Sequence, residues 1–316
     1  MDVAITGGTG FIGRALVLRH LAAGDTVRAL SRRPSNQTGF PDAVRVFSGD
    51  LVSEGDPVFL SRFVEGADLV YHCAGEIVCE SRMRSLHVGG TQKLIHAASG
   101  KIGHWVQLSS VGVYGPHRRG VVTEETALRP LGMYETTKAE SDQAVREAAR
   151  QGAFSCTTLR PSIVFGAGMK NRSLSQMTAM INRGLFFYIG SRGASANYII
   201  VDNVVEALVR CGQMPQARGR IYNLSDRRSA EEFVAVIADA LGKPCPSLRV
   251  PEGLARFAAR TLGKLPGFPL TVSRVDALTT RVVYASTRIE QELGYAHPIT
   301  MENGLSLLVR QWRTFA

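Results

Sequence analysis

The chain has 316 residues, 45% of them apolar and 20% charged. That is enough apolar material for a sizeable core and too much for a disordered chain, and the length allows one large α/β domain or two unequal ones. No apolar run approaches the ~20 residues of a membrane-spanning helix, and Met1-Asp2-Val3-Ala4-Ile5 lacks the basic start of a secretory leader. Five scattered cysteines without a C-x-x-C pair suggest neither a disulfide framework nor a metal site, so the expected compartment is the reducing cytoplasm. The net charge is +10, of which +6 falls from Arg210 onward. Such a surface draws an anionic small molecule. Nucleic acid is not expected, because no arginine-rich run or aromatic stacking platform accompanies the charge.

In chain order, Val3–Thr6 reads as a strand ending in glycines, and Phe11–Ala23 has helical spacing. Thr26–Ser31, Val44–Phe47, Leu69–Cys73, Trp105–Ser109 and Cys156–Arg160 follow as strands, with helices expected over Arg82–Ala98 and Glu135–Arg150. Strand and helix alternating in this way predict right-handed crossovers and a doubly wound parallel sheet of the Rossmann type. After Pro161 the units shorten. A loop is expected over Gly166–Arg172, and helices near Leu174–Arg183, Asn203–Cys211 and Ala230–Leu241. Strands are expected near Phe186–Ile189, Ile199–Val201 and Ile221–Leu224. Glu252–Leu265 is amphipathic, with Arg256, Arg260 and Lys264 at helical spacing, and reads as the solvated face of a surface helix. The expected organisation is an NAD(P)-binding domain over 1–163 and 197–224, with a smaller substrate-binding part over 164–196 and 225–316.

Thr6-Gly7-Gly8-Thr9-Gly10-Phe11-Ile12-Gly13 joins the first strand to the first helix. Gly7 and Gly10 permit a sharp turn and close approach to a pyrophosphate, Gly13 permits close packing of helix on strand, and Phe11 and Ile12 open a helix whose free N–H groups attract anions. Where an NAD enzyme places an acid for the ribose hydroxyls, this chain has Ser31-Arg32-Arg33. A guanidinium suits a 2′-phosphate that an acid would repel, which favours NADP(H) over NAD(H). Tyr134 and Lys138 lie four residues apart, on one face of a helix. The ammonium is expected to lower the phenol pKa towards working pH, so that Tyr134 can exchange a proton with a carbonyl or alcohol oxygen. Ser109 and Ser110 close a strand at the rim where open α/β sheets bind ligands.

With these marks the chain resembles the extended short-chain dehydrogenase/reductase superfamily, the NAD-dependent epimerase/dehydratase group. Gly49-Asp50-Leu51, His72-Cys73-Ala74-Gly75, Leu159-Arg160-Pro161 through Phe165-Gly166, Tyr198–Asn203 and Ile221-Tyr222-Asn223-Leu224 carry the resemblance further, over nearly the whole chain. It implies that Tyr134 is the general acid/base, that Lys138 binds the nicotinamide ribose and tunes the tyrosine, and that Ser110 positions the substrate oxygen. It also implies adenine contacts at Asp50 and Leu51, a stretch under the cofactor at Cys73, Ala74 and Gly75, and a strip beside the nicotinamide at Pro161, Ser162 and Ile163. A homodimer through the helices containing Thr91 and Glu140 is a further implication.

Three departures qualify the likeness. His87 stands where the group often has Asn, and reads as a buried hydrogen-bonding residue. The acid pair of the dehydratase branch is replaced by Val111-Gly112, which argues against dehydration. Ala194-Ser195-Ala196-Asn197 lacks the arginine with which many sugar-nucleotide enzymes bind diphosphate. The expected activity is hydride transfer at a secondary alcohol or ketone carbon, on a nucleotide-activated sugar. The alternative is an uncharged ketone, as for enzymes like 3β-hydroxysteroid dehydrogenase or dihydroflavonol reductase. A non-catalytic NADP(H)-binding regulator is a third class, disfavoured by the intact Ser110, Tyr134 and Lys138. Tyr188 and Tyr284 read as core, Arg118 and Arg119 as an exposed turn, and Cys73 and Cys79 as residues without partners.

Overall fold

In the computed structural model, all residues are described except 54–57, 170–172, 264–269 and 316. Fourteen strands are present among the described residues. In the first half they are β1 Asp2–Thr6, β2 Thr26–Ser31, β3 Val44–Ser48, β4 Leu69–His72, β5 His104–Leu108, β6 Arg119–Val122 and β7 Ser155–Pro161. The second half adds β8 Ile163–Phe165, β9 Tyr188–Ile189, β10 Ser195–Ile200, β11 Ile221–Leu224, β12 Asp226–Ser229, β13 Arg249–Val250 and β14 Arg281–Tyr284.

Seven of these form one parallel sheet in the order β11-β7-β5-β4-β1-β2-β3. β4 and β5 are buried along their whole length, as strands covered by helices on both faces must be. One core cluster packs Leu16 and Val17 of the first helix, Phe11–Ala22, with Val204 and Leu208 of the helix Val201–Gln213. On the other face Leu60, Phe63, Leu94, Trp105 and Val145 form a second cluster. The doubly wound Rossmann-like fold expected from the alternation is therefore the observed one. The chain direction reverses between β1 and β4, and the C-terminal ends of β1, β4, β5 and β7 share one rim beside that crevice.

The remaining strands build three small sheets away from the central one. β8 and β12 flank β10, β9 pairs β13, and β6 pairs β14 across more than 150 residues of sequence. Several boundaries differ from the expected ones. The strand near Ile199 starts at Ser195 because the Ser195–Tyr198 backbone pairs with β12. The strand near Phe186 is confined to Tyr188–Ile189 by the short partner β13. Arg119 begins a strand rather than lying in a turn, while Arg118 pairs with Asp276 at 2.9 Å. The helix expected over Arg82–Ala98 starts at Glu80 and contains a π-helical stretch, Ser85–Gly90, before Thr91–Ala98. The amphipathic helix ends at Leu262; Lys264 and Leu265, like 170–172 of the expected loop, lie outside the described residues. Further helices at Val58–Val64, Val272–Thr279, Thr287–Leu293 and Met301–Phe315 complete the layers. No helix among the described residues is long and apolar enough to cross a membrane, and no metal-binding cluster is found among them.

Candidate active site

The glycine loop closes as its spacing predicts. Gly7 has a φ of +66°, and a Cβ there would meet the Cys73 carbonyl and Ala74 nitrogen at 2.7 Å. A Cβ on Gly13 would stand 2.2 Å from the Gly7 carbonyl oxygen. The helix starting at Phe11 has no side-chain cap and no acid in its first turn. Its free N–H groups and positive dipole end are thus left to an anion. Gly10 is exposed, and Phe11 and Ile12 are half-buried. These residues fit a dinucleotide.

Ser31, at the end of β2, is buried, and its hydroxyl accepts the Arg33 N–H at 2.9 Å. That turn sends Arg32 and Arg33 into solvent, where neither has an ion-pair partner among the described residues. Asp50 faces Arg82 at 3.5 Å and Leu51 is buried against Gly90. Cys73 and Ala74 follow β4 under the Gly7 turn, and burial pushes the Cys73 thiol up to about 12. Gly75 faces His87, Pro161 is buried at the end of β7, and Ile163 is exposed. The rim thus gathers the expected residues from five strand ends.

Tyr134 and Lys138 both belong to the helix Met133–Arg150. Ser110 caps the turn after β5, its oxygen accepting the Gly112 N–H at 3.1 Å. The Tyr134 phenol departs from expectation. Burial, and then the adjacent Glu135 carboxylate, raise it to about 12, while a hydrogen bond with Ser110 pulls weakly the other way. The Lys138 ammonium does not lower it here, because it donates to the Leu108 carbonyl. Burial lowers the Lys138 pKa, opposed by the Asp142 carboxylate. The resting site therefore holds a protonated phenol, a proton donor poised at the rim.

Polar residues beneath the rim carry information that the motif pattern does not. Ala74 N–H donates to Thr6 Oγ1 at 3.2 Å, and the Thr6 hydroxyl meets His72 Nδ1 at 2.7 Å. His72 Nε2 meets Thr91 Oγ1 at 2.9 Å, and that hydroxyl donates to the His87 carbonyl at 2.6 Å. His87 Nε2 accepts the Glu76 N–H at 2.8 Å, so its proton is on Nδ1, 2.8 Å from Thr137 Oγ1. The His87 ring also packs edge-on against Tyr134, with centroids 5.6 Å apart. Burial lowers His72 to about 3 and His87 to about 4, so both are neutral at pH 7. A second set anchors the helix from below. Asp142 accepts from Ser109 Oγ at 2.6 Å and pairs with Arg160 at 3.3 Å, and Arg160 donates to Tyr114 Oη at 3.0 Å. His87 is the buried residue that its sequence position suggested. Asp142, Thr91 and Thr137 have no sequence signal beyond helical spacing from Lys138 or His87.

A cavity of about 370 Å³ opens beside Ser110 and Ser162, within the size range of ligand sites. Its walls include Met177, Phe186, Tyr188, Tyr198, Phe233 and Tyr284. Tyr188 and Tyr284 thus face a cavity as well as the core. The charged lining residues, Arg249 and Glu231, pair with each other at 2.6 Å, and Arg249 lies over the Tyr188 ring.

The model of the NAD dependent epimerase/dehydratase family matches residues 3–225. The chain belongs to this family. It is an NAD(P)-dependent enzyme of the short-chain dehydrogenase/reductase superfamily and takes a nicotinamide dinucleotide cofactor. Among curated proteins it is similar to the 3beta-hydroxysteroid-dehydrogenase/decarboxylase isoform 1 of Arabidopsis thaliana, at 27% identity over 95% of this chain and 77% of that one. It is also similar to the UDP-glucose 4-epimerase of Vibrio cholerae, at 25% identity over 96% of this chain and 93% of that one. Among solved structures, UDP-glucuronic acid 4-epimerase from Bacillus cereus in complex with NAD superposes with a TM-score of 0.74 at 17% identity. That match covers 100% of this chain and 99% of the other and shows the shared fold.

Proposed function

We propose that this family member exchanges hydride at the carbinol or carbonyl carbon of an uncharged, largely apolar alcohol or ketone. The cavity carries the reading. It opens at Ser110 into aromatic and aliphatic walls, and Arg249, its lining cation, is already neutralised by Glu231. A nucleoside diphosphate needs cations free to pair with it. The nucleotide-activated sugar therefore becomes the second reading, favoured by the +6 charge from Arg210 onward.

The nicotinamide ring supplies the hydride donor or acceptor. Tyr134 donates its phenolic proton to the substrate oxygen in reduction and regains it in oxidation. Ser110 donates a hydrogen bond to the same oxygen. Lys138 holds the ribose hydroxyls, and Gly7, Gly10, Phe11, Ile12 and Gly13 cradle the pyrophosphate. Asp50 and Leu51 contact the adenine, Cys73, Ala74 and Gly75 run beneath the dinucleotide, and Pro161 and Ile163 flank the nicotinamide. Arg32, beside Ser31, selects NADP(H). The division of the chain at 163, 197 and 224 places the cavity between the two parts. The five cysteines are free, which suits a reducing cytoplasm. A groove between the helices containing Thr91 and Glu140, lined by Gln92, Ile95, Ala148 and Gln151, supports a homodimer through that face.

Tyr134→Phe tests the chemistry. It is expected to lower kcat by about 10²–10⁴-fold on a ketone that the wild type reduces, with cofactor affinity nearly intact. Retention of more than a third of the wild-type rate in the chemical step would count against Tyr134 as the acid.

A further inference from the structure

Three oxygens along one wall of the cavity have no hydrogen-bond partner in the protein. They are the hydroxyls of Ser162 and Ser195 and Oδ1 of Asn197, all buried, with Ser162 only 6% exposed. All three residues line the cavity. They are also neighbours by register. β8 runs parallel to β10 with Ile163 opposite Tyr198, which puts Ser162 beside Asn197, and Ser195 lies two residues back on the same strand. The orientation of the Asn197 amide is assigned by its own hydrogen bond: Nδ2 donates to the Val282 carbonyl at 3.0 Å, leaving Oδ1 as the open acceptor. Val282 packs in one cluster with Val111, the residue after Ser110, so this wall lies close to the reacting end of the cavity.

Buried polar groups are costly when unpartnered, and native proteins keep few of them. Three side by side in an otherwise aromatic and aliphatic cavity are a site waiting for a polar atom. We propose that Ser162, Asn197 and Ser195 form a subsite for a second hydroxyl of the substrate, so that the enzyme acts on an uncharged hydroxy-ketone or diol and discriminates against the plain ketone. This rests on the reading of the cavity as the substrate site. The donor–acceptor pattern sets the chemistry. Asn197 Oδ1 accepts only, so it selects a group that carries a proton, which an ether or a second ketone lacks. The serine hydroxyls both donate and accept, matching the oxygen of the same hydroxyl. A carboxylate or phosphate would face Oδ1 with no free cation to offset the repulsion.

The test uses the full chain with NADPH and with NADH, and compares 1-tetralone with its 2-, 3- and 4-hydroxy derivatives. At least one derivative is expected to exceed the parent ketone in kcat/KM by roughly ten- to a hundredfold, the span of one or two hydrogen bonds to buried groups. Asn197→Leu is expected to bring that ratio to within about threefold, and Ser162→Ala to lower it part-way. Because Ser162 has no partner in the resting protein, Ser162→Ala should leave the melting temperature of the ligand-free protein unchanged or raise it. Reduction of all four ketones within threefold of one another overturns the subsite and leaves the apolar-ketone reading standing. So does a ratio that survives Asn197→Leu, or a Ser162→Ala protein that melts several degrees lower. If no member of the series turns over while the cofactor binds, the apolar-ketone reading falls and takes the subsite with it.

Discussion

Arg32→Ala is expected to remove a preference for NADP(H) while leaving the protein as stable as before. The structure separates the two effects. Ser31 is 3% exposed and its hydroxyl already holds the Arg33 N–H, so the turn at the end of β2 is fixed from within. The Arg32 side chain is exposed and makes no ion pair among the described residues, so truncating it removes no internal contact. A surface substitution of this kind changes stability by about ±0.5 kcal/mol. The whole effect then falls on the ligand. A charge-assisted hydrogen bond to a 2′-phosphate contributes about 1.5–3 kcal/mol. A solvent-exposed ion pair contributes about 0–1 kcal/mol. Arg32 starts exposed and is only partly covered when a phosphate docks, so the expected selectivity is about fivefold to thirtyfold.

Competitive titration of NADPH and NADH on wild type and Arg32→Ala measures this, at low ionic strength and again near 0.5 M salt. The preference should shrink with salt, because the pair sits at the surface. Ser31→Asp combined with Arg32→Ala should go further and favour NADH. An aspartate can keep the Arg33 N–H with one oxygen and offer the other to a ribose hydroxyl. Wild-type affinities within twofold of each other would refute the reasoning. So would an Arg32→Ala protein that loses affinity for both cofactors alike.

Gly13→Ala should abolish dinucleotide binding in a fluorescence titration. Its Cβ would stand 2.2 Å from the Gly7 carbonyl, far inside van der Waals contact, and relief must open the loop. Affinity within threefold of wild type would mean that the loop does not hold the cofactor. His87 links stability to pH: its pKa is 6.5 in the unfolded chain and about 4 when folded, so the unfolded state binds the extra proton between those values. Stability is therefore full above pH 6.5 and falls as pH drops towards 4, by about 3 kcal/mol for this group. Urea unfolding of wild type and His87→Asn across that window should show the flatter profile in the variant. Arg160→Met leaves the buried Asp142 carboxylate without its cation, and should cost about 3–5 kcal/mol in the same assay.

The parts of this molecule legible in the sequence are those whose signal is local. The glycine loop is legible because Gly7 and Gly13 are required by contacts within one turn and its neighbouring strand. β4 and β5 are legible because strands buried on both faces read as apolar runs. Tyr134 and Lys138 are legible from helical spacing alone. β6, β12, β13 and β14 carry two to four residues each and have exposed faces, so no periodicity marks them. β6 is a strand only because Arg281–Tyr284 comes alongside it. The electrostatics of the site are equally non-local. Spacing put the Lys138 charge near the Tyr134 phenol, but burial governs the phenol, and Leu108 holds the ammonium.

The substrate is the least legible element, and the arrangement of the polar residues gives the reason. The path Thr6–His72–Thr91–His87–Thr137 ties the glycine loop to the helix that carries Tyr134 and Lys138. Its histidines are neutral at pH 7 and their protons are assigned by their partners, so at that pH the loop and the helix are held in one fixed relation. Asp142 and Arg160 do the same for Ser109, and through the backbone for Ser110. None of the residues in these two sets lines the cavity. The cavity walls come instead from β9, β10 and the helices Ser173–Asn182, Ala230–Leu241 and Val272–Thr279. Those walls can change without disturbing the atoms that would move hydride and proton. Strong motifs therefore report the chemistry, while substrate choice rests on short segments such as Ser195-Ala196-Asn197, whose unpartnered oxygens become visible only when the chain is folded around them.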